Sequence, residues 1–110
     1  MDSIENKGIF VDSKDISAVV EKITQLCSPR LIYLYNQRIN VRHEISSFKL
    51  CVVAPIADKL ACERGIFREA DCDIPFDILI YTPEEWERLS LKSGSFAKRI
   101  SESGVALYDG

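Results

Sequence analysis

Three short apolar runs, RLIYLY (30–35), FKLCVV (48–53) and FDILIY (76–81), constrain this chain more than any other feature. Each is rich in β-branched and aromatic residues, bounded by polar residues or Pro75, and far too short to cross a bilayer. They predict strands of one sheet. Such runs must be covered, and the segments between and around them supply the cover. Ile16, Val19, Val20, Ile23, Leu26 and Cys27 recur at helical spacing behind Asp12 or Ser13 as N-cap, and Pro29 ends the run.

After Pro55, the spacing of Ile56, Leu60, Glu63 and Phe67 predicts a second helix, weakened near Gly65 and closed by READCD. TPEEWERL opens a third: Thr82 is placed as N-cap, Pro83 at the first helical position and Glu85 three residues past the cap. SFAKRISESG continues or restarts that helix after Gly94, and VALYDG reads as a tail. The expected order is α-β-β-α-β-α, an α/β (α+β) fold with a three-stranded mixed sheet and helices packed on it. No repeat or linker divides the chain, so residues 1–110 read as a single domain, long enough to bury a core.

Charge narrows the function classes. A net charge of −3 gives no basic face of the kind that neutralises phosphates along a nucleic acid, so that partner class is disfavoured. The N-terminus MDSIENKGIFVDSKD has no apolar leader core, and LCVVAPIA (50–57) is too short for a membrane span, which predicts a cytoplasmic protein with no membrane partner. The four cysteines, Cys27, Cys51, Cys62 and Cys72, form no C-x-x-C pair and read as buried, inert thiols. A zinc site from Cys62, Cys72 and His43 would match no compact ligand spacing.

Over most of its length the chain resembles the minimal nucleotidyltransferases of the DNA polymerase beta superfamily. IYLYNQR takes the place of the first strand and its Gly-Ser turn, SSFKLCVV that of the second strand with its Asp-x-Asp, and IPFDILIYTPEEWERL that of the third strand with its lone Asp. The tail ISESGVALYDG looks like the family's usual ending. The resemblance implies a nucleotidyl-transfer architecture whose chemistry depends on magnesium and a nucleoside triphosphate. Two metal ions clamp the attacking and leaving oxygens, so carboxylates must converge, and residues i and i+2 of a strand share a face.

At those positions this chain has Ser47 and Lys49, and Asp77 alone keeps its carboxylate. The Gly-Ser pair reads Asn36-Gln37; Asn tolerates the left-handed backbone of such a turn, but both side chains crowd the space a phosphate would take. The expectation is a degenerate site with no resident metal or cofactor, in which Lys49 and Asp77 on adjacent strands pair as an ion pair in place of the metal. Asp77, on a strand that reads as buried, needs such a partner. Arg38, Arg42 and Lys49 form an alternative anion-binding set for weak, metal-independent nucleotide or phosphate binding.

An active enzyme would instead recruit metal through Asp77 with Glu44 or Asp73. Asp71 and Asp73 read as turn residues before Pro75, and His43 as a solvated loop histidine. Tyr33, Tyr35, Phe48, Phe67, Phe76, Tyr81, Trp86 and Phe96 are accounted for by packing. Minimal nucleotidyltransferases are often paired with small helical proteins, in some cases as the antitoxin of a toxin pair. The resemblance therefore implies such a partner, or a homodimer.

Overall fold

In a computed structural model that describes residues 13–110, the elements follow in the order α1 (Lys14–Cys27), β1 (Leu31–Ile39), β2 (Ile45–Val53), α2 (Lys59–Glu69), β3 (Phe76–Tyr81), α3 (Pro83–Leu89), α4 (Phe96–Ser103) and β4 (Val105–Asp109). Residues 1–12 of the stretch read as having no apolar leader core, with Asp12 as the alternative cap, lie outside the described residues. Among the described residues, no helix is long and apolar enough to cross a membrane.

Local chemistry accounts for the helix ends. Ser13 Oγ accepts the Asp15 N–H at 3.1 Å, and Asp15 places a carboxylate in the first turn, where the helix dipole favours it. α1 stops at Ser28, which turns left-handed at φ 48° ahead of Pro29. α2 starts later than its apolar spacing predicts. The Ile56 N–H bonds to the Ala54 carbonyl at 2.8 Å in a tight turn, and Asp58 caps the Ala61 N–H at 3.0 Å. The capping box at Thr82 forms as predicted, with the Glu85 N–H donating to Thr82 Oγ1 at 3.1 Å and the Thr82 N–H donating to Glu85 Oε1 at 2.9 Å. The following segment restarts as a separate helix, because Gly94 at φ 84° reverses the chain and Ser95 caps the Lys98 N–H at 3.0 Å.

The sheet has four strands, not three, in the order β3-β2-β1-β4. The stretch read as a tail is the fourth: Val105–Asp109 pairs antiparallel with β1. β1 and β2 form an antiparallel hairpin, while β2 and β3 run parallel, connected through α2.

Alternation splits the sheet's side chains between two covers. Ile32, Leu34, Phe48, Leu50, Val52, Ile78 and Ile80 meet Ile16, Val19, Ile23 and Cys27 of α1 and Ile66 of α2. Leu31, Tyr33, Cys51, Val53, Leu79 and Tyr81 meet Trp86 of α3 and Ala97 and Ile100 of α4. Each fully buried side chain of this size contributes about 1.5–3 kcal/mol relative to exposure. All eight aromatics join in five ring contacts that include Phe48 on Phe76 (5.4 Å) and Tyr33 on Trp86 (5.6 Å), but Phe67 and Phe96 stay exposed at the edge of the core.

Candidate functional site

Asn36, Arg38, Ser47, Lys49 and Asp77 fall at one end of the sheet, on the face that α3 and α4 cover further along. Their arrangement depends on a β-bulge. Leu34 lies opposite Leu50, but Asn36 lies opposite Lys49, so Tyr35 is the extra residue of β1. In the parallel register Lys49 then lies opposite Asp77, which makes Asn36, Lys49 and Asp77 one row across three strands. Arg38 opposite Ser47 forms the next row. Asn36, Arg38, Lys49 and Asp77 are exposed and Ser47 is half-buried.

The Asn36-Gln37 pair forms no turn. β1 runs on to Ile39, and Gln37 lies opposite Phe48, on the α1 side of the sheet. Its backbone therefore belongs to the strand ladder and does not open a phosphate cradle. The reversal comes later and is organised by Asn40. Its Oδ1 accepts the Arg42 N–H at 2.9 Å and the Glu44 N–H at 3.1 Å, while His43 is left-handed at φ 64°. Arg42 thus sits in the exposed hairpin tip, outside the rows that hold Arg38 and Lys49, and His43 is solvated as expected.

The expected Lys49–Asp77 ion pair is absent among the described residues, although the two are register partners. The physical reason is exposure. Asp77 lies near the start of the edge strand β3 and is exposed, so water can solvate its carboxylate in place of an ammonium. Asp77 nevertheless acts on its surroundings: burial first, then the Cys51 thiol and the Asp77 carboxylate, push the Tyr35 phenol above its ordinary value.

Sequence reasoning missed the border of this surface. The Tyr35 ring meets Phe96 edge-on at 5.4 Å, and the Arg99 guanidinium lies 5.5 Å from the Phe96 centroid. Phe96 remains 43% exposed, so the polar rows adjoin an aromatic wall with a cation on it. The usable signal was Phe96 at the first position of a Ser-capped helix, where half of a ring stays outside the core.

The alternative metal ligands lie elsewhere. Glu44 lines a cavity with Ser13, Asp15 and Asn40, and the Asp73 N–H donates to the Asp15 carboxylate at 3.5 Å, so both belong to the α1 end of the molecule. Among the described residues, no group of three His, Cys, Asp or Glu side chains converges as a metal site. Burial pushes the Cys51 thiol up to about 12, and Cys72 donates to the Ile74 carbonyl at 3.3 Å. Taken together, the surface offers amide, hydroxyl, guanidinium and ammonium donors with a single carboxylate acceptor. That set can hold a polar or anionic group by hydrogen bonds and charge.

No protein-family model, no curated protein and no solved structure matches the chain.

Proposed function

We propose that this chain is a binding module with a decayed nucleotidyltransferase-like site, serving in interaction or regulation and transferring no nucleotide. The row Asn36, Lys49, Asp77 supports this reading. A divalent ion about 5 Å from an ammonium is repelled by about 1.7 kcal/mol even at the permittivity of water, and a carboxylate at the same distance attracts it equally. Lys49 beside Asp77 therefore cancels the attraction on which two-metal chemistry depends. The partners that fit the reading are a small helical protein, as the resemblance implies, or a second copy of the chain.

A second reading is favoured by the exposed Arg38 and Lys49 on one face beside Asn36 and Ser47: a metal-independent site for phosphate or nucleotide. Calorimetric titration with ATP, with and without magnesium or manganese, tests both. The interaction module gives no heat in either arm, and the anion site gives weak, salt-sensitive binding that is the same with and without metal. Tight magnesium-dependent binding followed by pyrophosphate release would falsify both and restore the active enzyme.

A further inference from the structure

We propose that Cys27 and Cys62 form a thiol–disulfide exchange site, which a small-molecule disulfide of the glutathione class converts to an intramolecular bridge between α1 and α2. Cys27 is the last residue of α1 and closes its inward stripe of Ile16, Val19 and Ile23. On α2, Cys62 lies one turn before Gly65 and Ile66, the buried residues of that helix. This face of α2 meets the end of α1, because a Cβ placed on Gly65 would lie 3.9 Å from Leu26 Cδ1. Cys27 belongs to the apolar cluster and Cys62 packs against it. The Cys62 thiol adds to burial in pushing Cys27 up to about 12.

Exposure sets the order of events. Cys62 is half-buried and Cys27 is buried, so the Cys62 thiolate attacks the small disulfide first, forming a mixed disulfide and releasing one small thiol. Cys27 then loses its proton to solvent, and its sulfur attacks the Cys62 sulfur, releasing the second small thiol. Two protein thiols are oxidised and one small disulfide is reduced. The second step is slow and speeds up with pH, because little of the buried Cys27 is thiolate. Cys51 lies on the opposite face of the sheet, and burial holds the Cys72 thiol above its ordinary value, which lowers its thiolate fraction. The bridge closes a loop containing the whole β1–β2 hairpin, and so the strands bearing Asn36, Arg38, Ser47 and Lys49.

The test is incubation of the folded full chain with oxidised glutathione at pH 8, followed by intact mass and peptide mapping. The expected product has lost two hydrogen atoms, yields a Cys27–Cys62 linked peptide, reverts with dithiothreitol and melts on the order of 10 °C higher. Cys51→Ala and Cys72→Ser should leave the product unchanged, Cys62→Ser should abolish it, and Cys27→Ser should stop at a glutathione adduct on Cys62. A stable adduct on Cys62 of the unmutated chain, or a bridge that forms only in denaturant, overturns the proposal without recourse to any variant.

Discussion

Replacing Gly104 by Ala tests the join between α4 and β4, and through it the seating of β1. Gly104 has φ −77° and ψ 164°, a conformation open to any residue, so the penalty is steric alone. An added Cβ would lie 2.6 Å from the Ile100 carbonyl oxygen, 3.3 Å from Tyr33 Cδ1 and 3.4 Å from the Leu34 carbonyl oxygen. The Ile100 oxygen already accepts the Gly104 N–H at 2.7 Å, and Leu34 is held opposite Val105, so neither backbone oxygen can retreat without loosening a bond or the register. Overpacking of this kind costs about 1–3 kcal/mol, offset by about 0.4–1 kcal/mol from the stiffer unfolded chain. A net loss of about 1–2 kcal/mol follows, or about 4–15 °C in Tm for a domain of this size. Urea unfolding followed by the fluorescence of Trp86, the single tryptophan, measures it, and hydrogen exchange should quicken first in β4. Gly65→Ala is the matched control. Its new Cβ meets only ordinary contacts at 3.8 and 3.9 Å inside α2, and it should stabilise by about 0.5–1 kcal/mol. Equal stability of Gly104→Ala and the unmutated chain would refute the close approach.

Phe48→Ala should cost about 3–5 kcal/mol in the same unfolding assay, since Phe48 is 1% exposed and stacks on Phe76. The Glu85 carboxyl is held below its usual range, first by Lys59 (2.5 Å) and then by the Thr82 N–H, so its contribution is full above the ordinary value near 4.5 and disappears as pH falls through the folded value. Glu85→Gln should therefore flatten the stability profile below that pH, by only about 0.2–1 kcal/mol because water reaches the half-exposed pair; an unchanged acid limb would count against the assignment. The double variant S47D/K49D puts three carboxylates on one face of β2 and β3 and should gain manganese binding with a Kd on the order of 10⁻⁴–10⁻³ M by calorimetry. No gain would mean that the three positions do not converge.

What could be read from the sequence followed the strength of each periodic signal. Three strands, the Thr82 box and the alternation that puts Ser47, Lys49 and Cys51 on one face came from local chemistry that packing did not override. β4 was missed because five residues of mixed polarity carry too little periodic signal to be told from a tail until Leu31, Ile32, Tyr33 and Leu34 supply a partner. Asn36-Gln37 read as a turn because polar residues close an apolar run. The hairpin instead extends beyond its helical cover, where a strand can afford polar side chains, and Asn40 makes the reversal through side-chain bonds. Asp77 was expected to be buried because its neighbours Phe76 and Ile78 are apolar. An edge strand near its end exposes alternate residues while keeping the others in the core.

The bulge at Tyr35 means that the chemistry displayed at this end of the sheet is set by a residue count as well as by residue types. Strand alternation has only two phases, and one extra residue exchanges them for everything that follows. Deleting Tyr35 would close the bulge and leave Asn36 opposite Lys49 and Arg38 opposite Ser47. Running the same residues through the ladder without the bulge would instead put Asn36 opposite Phe48 and Gln37 opposite Ser47, turning Asn36 and Arg38 to the α1 side and bringing Gln37 to the face of Lys49, with the hydrophobic residues before the bulge left in place.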